Sequence, residues 1–177
     1  MSKPPSDADL RAAALRHLER YACSVAGLRC VLQRRVARAT RRAGLEAAPA
    51  EGAAQIEAVL AALSAAGLLD DARYAEGRVA SLARRGVPLQ RMRHDLLTHG
   101  VGAELVGEAI ERHRSEIEAD GCQADHEVAR AYAKRRRLGV FRPPETRSAW
   151  RQKDMAALAR AGFSYDVARA IVDGEDS

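Results

Sequence analysis

The feature that most constrains the fold is a dense series of helix stop and start signals in the middle of the chain. Gly67 and Gly86 are of the type found just beyond a helix end, and Gly100 closes the series. Asp70 and Pro88 suit helix starts, because a carboxylate accepts from free backbone N–H groups and proline has no N–H to leave unpaired. Helices this short are unstable alone in water. The stretch therefore predicts small helices that pack on one another.

Two adjacent carboxylates, Asp70 and Asp71, admit two interpretations. They can start a helix, or they can act as acid/base or metal-binding groups, since such chemistry uses paired carboxylates. Tyr74, Val79 and Leu82 follow at helical spacing, and this pattern is complete without any reaction. We therefore favour helix capping.

Apolar residues at helical spacing continue on both sides of this stretch. Each group of three predicted helices forms one module, and stacked modules predict an all-α, elongated array of three tandem three-helix modules. The first module covers residues 1–69, with an N-terminal tail and an internal linker near 44–52; the second covers 70–120 and the third 121–177. We predict a loop at 141–144 because it contains two successive prolines. The residues expected on the apolar stripe of the first helix are Leu10, Ala14, Leu18 and Tyr21.

The second and third modules are related by a shift of 62 residues, counted from the numbering. The shift places Leu96 on Leu158 and Gly100 on Gly162. It also aligns Gln90 with Gln152, Arg91 with Lys153, Val101 with Phe163 and Leu105 with Val167. A repeat of this kind is typical of stacked helical units.

Composition limits the class of protein. Apolar residues make up 47% of the chain, which argues against disorder, and much of this content is alanine, so each module should have a thin core. No apolar run approaches the roughly 20 residues that cross a bilayer, and the N-terminus lacks a signal-peptide pattern. Cys23, Cys30 and Cys122 form no CxxC pair, which fits a reducing cytoplasm.

Motifs of the common enzyme classes are absent from the sequence. There is no Walker-type phosphate loop, HExxH or GxSxG. His94 and His99 are five residues apart and make poor joint metal ligands on a helix. We interpret the histidines as surface groups, and we find no base placed to activate a cysteine. We expect no cofactor and no metal.

The net charge of +5 and the pI near 9.5 indicate attraction to polyanions. Arginine-rich patches lie in residues 34–42, 84–93 and 134–142. A merely solvated face is the favoured interpretation for the first patch. For the other two we favour binding, because guanidinium groups pair with both phosphates and carboxylates. The candidate partner-binding residues are Arg84, Arg85, Arg91, Arg93, Lys134, Arg135, Arg136, Arg137 and Arg142.

Sequence-specific DNA recognition is the obvious alternative, since residues 89–113 read as helix, turn and helix. The second of these helices carries Glu104, Glu108 and Glu111, which DNA phosphates would repel. Aromatic residues make up only 4% of the chain, so we expect no stacking platform for single-stranded nucleic acid, and we assign Trp150 and Phe163 to the core. Any contact with DNA should then be directed at the backbone and sensitive to salt.

The central stretch also resembles the signature of the RecX family. The residues that carry the resemblance are Gly67-Leu68-Leu69-Asp70-Asp71-Ala72-Arg73-Tyr74-Ala75, Arg85-Gly86, Arg91-Met92-Arg93, Leu96 and Gly100-Val101. The similarity is strong over residues 67–110, is fainter over 10–35 and returns at 158–171. At Gly27, the family pattern has a glutamate near the start of the second helix, so this helix lacks a capping box.

The resemblance implies an all-helical modulator of the RecA recombinase. It predicts a protein without enzymatic activity that binds along the RecA filament, bridges neighbouring protomers and inhibits ATP hydrolysis and strand exchange. We expect a cytoplasmic monomer with no membrane contact. The structural-motif residues are Gly67, Asp70, Asp71, Tyr74, Gly86, Gly100, Gly162 and Phe163. The rival hypothesis is a nonspecific DNA-binding protein that competes for the strand, and a small enzyme acting through Asp70 and Asp71 is a third.

Overall fold

The computed structural model describes residues 5–44, 50–119 and 123–174. Within these ranges the chain forms α-helices, one short 3-10 helix at Gly139–Phe141 and no strand, so the all-α prediction is confirmed. The helices are α1 Asp7–Leu18, α2 Val25–Arg42, α3 Ala50–Ala65, α4 Asp71–Arg84, α5 Leu89–Thr98, α6 Ala103–Ala119, α7 Ala124–Arg136, α8 Pro144–Ala161 and α9 Tyr165–Asp173.

Several helix boundaries differ from the predicted ones. Residues 45–49 of the expected linker, the first four residues of the tail and Cys122 lie outside the described residues. Residues 50–52 belong to α3 rather than to the linker. Pro144 is the first residue of α8, where a missing N–H costs nothing, so the loop ends one residue earlier than predicted. Tyr21 is 60% exposed, because α1 ends at Leu18 and the apolar stripe stops with it.

One compact unit, here called the N-terminal unit, comprises the described residues up to Tyr74 together with Thr98–Gly102. Helices α1, α2 and α3 pack on one another within it. Ser6 starts α1 with a capping box, and Ser24 accepts a hydrogen bond from the N–H of Gly27 at the start of α2. The buried core is formed by Leu10, Ala14, Leu28, Leu32, Val36, Ile56, Val59, Leu60, Leu63 and Leu69.

A second compact unit, the C-terminal unit, comprises Ala75–Leu97 and the described residues from Ala103 onward. In it, Arg78 of α4 forms two hydrogen bonds with Asp95 of α5, of 2.8 and 2.9 Å. Helices α7, α8 and α9 and the 3-10 helix pack together, and α7 also packs on α6. Leu96 and Leu158, which the 62-residue shift aligns, are both fully buried.

The turn between α4 and α5 approaches α7 very closely. Gly86 has φ +66°, a left-handed conformation that glycine adopts without cost. A Cβ atom at this position would overlap the backbone N and Cα atoms of Tyr132. A side chain is therefore excluded at Gly86 both by backbone conformation and by space.

We expect Gly86→Ala to lower the free energy of unfolding by roughly 2–4 kcal/mol, because it combines left-handed strain with overpacking against backbone atoms. Gly77→Ala is the matched control, since Gly77 lies in α4 with open space where its Cβ would be. The control should raise the unfolding free energy by about 0.5–1 kcal/mol. Urea denaturation of both variants measures the difference, and equal effects of the two substitutions would contradict the close approach.

Candidate partner-binding surface

The two carboxylates of the central signature have different roles. Oδ1 of Asp70 accepts hydrogen bonds from the N–H groups of Ala72 and Arg73, at 2.9 and 3.1 Å, and so caps α4. Oδ1 of Asp71 instead accepts from the N–H of Val25 at 2.8 Å, at the start of α2. Both side chains are used to satisfy helix ends. This arrangement gives the acid/base interpretation no support.

A second contact joins the start of α2 to the turn after α5 within the N-terminal unit. The hydroxyl of Ser24 donates a hydrogen bond to the carbonyl oxygen of His99. At Gly100, φ is +76° and a Cβ atom would overlap that of Ala26. The Tyr74 and His99 rings are 6.4 Å apart. Signature residues therefore hold this unit together.

Three further motif positions end helices with left-handed residues. Gly67, Gly86 and Gly162 all have positive φ. After each of them, the next residue donates a hydrogen bond back to the last turn of the helix, as in the Schellman motif. Phe163, which follows Gly162, is 7% exposed and packs on the ring of Tyr132 at 5.6 Å. Phe163 is therefore a core residue, as predicted.

The first group of candidate binding arginines lies on α4, α5 and the turn between them. Arg84, Arg85, Arg91 and Arg93 are all exposed. Nη2 of Arg91 donates to the carbonyl oxygen of Arg160 at 2.9 Å, within the C-terminal unit. Among the ion pairs found in the described ranges, none involves these four side chains. Their guanidinium groups can thus reach carboxylates or phosphates of another molecule.

The second group lies at the end of α7. Lys134, Arg135, Arg136 and Arg137 are exposed, and the guanidinium of Arg136 lies over the Tyr132 ring at 5.0 Å. Arg137 has φ +55°, the sole positive value for a non-glycine residue in the described ranges. It occupies the helix-ending position at which α4 has a glycine. An arginine is held here at a conformational cost of about 1–2 kcal/mol.

Arg142 differs from the other candidates because it forms an internal ion pair. Its Nε and Nη2 atoms donate to the carboxylate of Asp154 at 2.6 and 2.9 Å, and the N–H of Gly139 donates to the same carboxylate at 2.8 Å. Asp154 is 2% exposed. The guanidinium carbon of Arg142 lies 4.5 Å from the centre of the Trp150 ring.

The prediction that Trp150 belongs to the core is wrong. Its side chain is 41% exposed, and its ring also contacts Lys153, whose Nζ atom lies 4.4 Å from the ring centre. Sequence reasoning missed Trp150, Lys153 and Asp154 as site residues. One signal could have identified Asp154: the 62-residue shift aligns this carboxylate with Met92, which is fully buried.

The cysteines, histidines and carboxylates of the described residues do not gather into a metal site. No group of three metal-ligating side chains occurs there. Burial, together with the charge of Asp71, raises the pKa of the Cys23 thiol, which disfavours the nucleophilic thiolate. His94 and His99 are exposed, but the Nε2 atoms of His113 and His126 are buried, contrary to the surface interpretation. None of the described helices is both long and apolar enough to span a bilayer.

Comparison with known proteins bears on the whole chain. The family model "RecX, second three-helix domain" matches residues 70–110. The regulatory protein RecX of Myxococcus xanthus (strain DK1622) is 38% identical over 93% of this chain and 84% of its own. The proteins of the same name from Halorhodospira halophila and Stenotrophomonas maltophilia are 35% and 34% identical, over 68% and 64% of this chain and 68% and 63% of their own. No solved structure matches.

The backbone of Arg137 leads to a prediction about stability. Arg137→Gly should raise the unfolding free energy by about 1 kcal/mol, since glycine removes the left-handed strain. Arg135→Gly, two residues earlier within α7, should instead lower it by up to about 1 kcal/mol. Thermal unfolding of both variants tests this contrast. A loss of stability in Arg137→Gly would mean that the arginine side chain stabilises the fold.

Asp154 leads to a prediction about pH. Burial works to raise the pKa of Asp154, but the hydrogen bonds from Arg142 and Gly139 outweigh it and hold the pKa below the ordinary 3.8. A carboxyl group whose pKa is lower in the folded state stabilises the fold at pH values above its unfolded-state pKa. This contribution is lost as the pH falls through the folded-state pKa.

Asp154→Asn should therefore lower the unfolding free energy at neutral pH by roughly 2–3 kcal/mol, because it leaves the partly buried Arg142 without its partner. The difference from the parent should shrink as pH falls below 3.8. Urea titrations across the acid range measure it, with Asp166→Asn as the control on the exposed first turn of α9. A difference that stays constant with pH would show that charge is not its cause.

Proposed function

This chain belongs to the RecX family of regulatory proteins, and on that premise we propose that it binds the RecA filament and lowers its ATPase and strand-exchange activities. Contact with neighbouring RecA protomers would occur through exposed basic residues of the C-terminal unit. The protein would act in the cytoplasm as a monomer, by binding alone and without catalysing a reaction.

The contrast between paired and exposed arginines on the same helices is the observation that carries this proposal. On α4, α5 and α6, Arg78 pairs with Asp95, and Arg112 pairs with Glu76. The neighbouring candidates Arg84, Arg85 and Arg93 are exposed and outside the ion pairs found in the described ranges. A bidentate guanidinium suits the carboxylates of a partner protein.

The regulatory effect requires that binding distinguish between filament states. ATP turnover in a filament changes the spacing and orientation of adjacent protomers. A protein that bridges two protomers, and binds one state more tightly than the other, shifts the filament toward that state and slows turnover. Equal affinity for both states would have no effect on the ATPase, however tight the binding.

The second candidate function is nonspecific DNA binding that removes the strand from the filament. The outward face of α2 favours it: Arg34, Arg38, Arg41 and Arg42 are exposed and fall on one side of the helix, because their spacing follows the helical period. No acidic residue interrupts α2. Such a face can neutralise phosphates.

A charge-reversal experiment tests the proposed contact. Arg91→Glu combined with Arg93→Glu should weaken inhibition of the filament ATPase about tenfold or more, since each reversal replaces attraction with repulsion at a close charge pair. Arg11→Glu combined with Arg20→Glu gives the same change in net charge on exposed residues of the N-terminal unit and should inhibit as the parent does. Arg93→Glu alone should show part of the loss without disturbing the Arg91–Arg160 hydrogen bond.

Excess single-stranded DNA separates the two functions. Inhibition through the filament should persist when DNA sites greatly outnumber the regulator and RecA is sufficient to cover them, whereas competition for the strand should disappear. A folded Arg91/Arg93 double variant that inhibits as strongly as the parent would contradict the assignment of these residues. Disappearance of inhibition under excess DNA would favour the competitor.

A further inference from the structure

An open groove of about 550 Å³ lies on the C-terminal unit, beside Trp150. The wall is formed by α8 together with Leu138 and Arg142. Trp150 is 41% exposed and is the single tryptophan of the chain. The exposed part of this large apolar ring contributes no hydrophobic free energy to folding. Exposed aromatic rings of this kind are enriched where another molecule binds.

The groove is positively charged. Arg142, Lys153 and Arg160 all line it. Among its lining residues the one carboxylate is that of Asp154, which is 2% exposed and hydrogen-bonded to Arg142. The cations are therefore not balanced by any exposed acid of the groove. A ligand must carry negative charge and must also use the indole ring.

Arg142 and Lys153, the two cations that contact the ring, differ in how firmly their side chains are held. Two hydrogen bonds to Asp154 fix the guanidinium of Arg142 at 4.5 Å from the ring centre. Lys153 contacts the ring at 4.4 Å, and its ammonium is a point charge on a flexible four-carbon chain. A planar ligand that takes the place of the ammonium over the indole leaves Lys153 able to pair with an anion beside the ring.

We propose that this groove binds single-stranded nucleic acid, with one unpaired base stacked on Trp150 and the adjacent phosphates paired with Lys153 and Arg160. Stacking on aromatic rings together with backbone neutralisation is how single strands are held without regard to sequence. Bases within a duplex are already stacked on each other, so the indole selects for an unpaired base. An acidic peptide would satisfy the cations but would leave the indole without a stacking partner.

This inference does not rest on the proposed action on the RecA filament, because it concerns the isolated protein and a nucleic acid. It also differs from contact through α2, which requires phosphates alone. The two basic regions can be distinguished by whether the single tryptophan reports binding.

The experiment is a fluorescence titration of the full chain with oligothymidylate, without RecA. Trp150 is the sole tryptophan, so stacking of a base on it should quench the emission in a saturable manner. A duplex of the same length should quench much less. Affinity should fall with salt, and Lys153→Gln should reduce the slope of log K against log salt by about 0.7, the value for one phosphate on a single strand.

Substitution of the ring gives the second arm. Trp150→Leu should weaken binding of labelled oligothymidylate, measured by anisotropy, about tenfold, while its thermal unfolding stays close to that of the parent because the ring is exposed. Tyr165→Leu is the matched control, an exposed aromatic residue of the same unit that does not line the groove, and it should bind as the parent does.

Saturating oligothymidylate that leaves the emission of Trp150 unchanged would overturn the proposal, as would undiminished affinity in Trp150→Leu. Quenching by polyglutamate with none by oligothymidylate would assign the groove to an acidic protein segment and would equally overturn it. Undiminished ATPase inhibition in the Arg91/Arg93 variant would contradict the proposed filament contact but would leave these results unaffected, so the two proposals fail independently.

Discussion

The hydrogen bond from the N–H of Val25 to the carboxylate of Asp71 joins elements 46 residues apart, and the N-terminal unit depends on it. Helix α2 has no acidic residue in its first turn, although a helix N-terminus carries free donors and a partial positive charge. Asp71 supplies that acid from another part of the chain. With Ser24 bonded to His99 and Gly100 against Ala26, the strongest part of the sequence signature serves to close this unit.

The helix ends of this fold could be predicted from the sequence, because they depend on the conformational preferences of single residues. The helix ends at Gly67 and Gly86 follow from backbone conformations that favour glycine, so the sequence alone predicts them. The role of Asp71 could not be predicted in this way, because the N–H group that donates to it belongs to Val25, 46 residues away in the chain. For Tyr21 the local pattern itself was misleading. The residue continues the helical spacing of apolar residues in α1, but it lies beyond the end of that helix.

The number of arginines in the sequence likewise overestimates how many of them are available to bind a partner. Several arginines form ion pairs within the protein. Arg29 pairs with Glu57, 28 residues away in the sequence, and Arg151 pairs with Asp173, 22 residues away. No local pattern identifies such pairs. Arg84, Arg85 and Arg93 lie outside the ion pairs found among the described residues, which is a property of the packing. Charge runs thus indicate where a surface can be basic, whereas geometry decides which side chains are available.

Asp154 of α8 shows how a buried charge can orient another side chain. Asp154 is buried, as is Met92, the residue that the 62-residue shift aligns with it. A buried ion pair is often no more stabilising than apolar packing of similar volume. What Asp154 adds is orientation, because it fixes the guanidinium of Arg142 against the indole of Trp150. A carboxylate at this position therefore fixes a cation on an exposed aromatic ring, which an apolar side chain could not do.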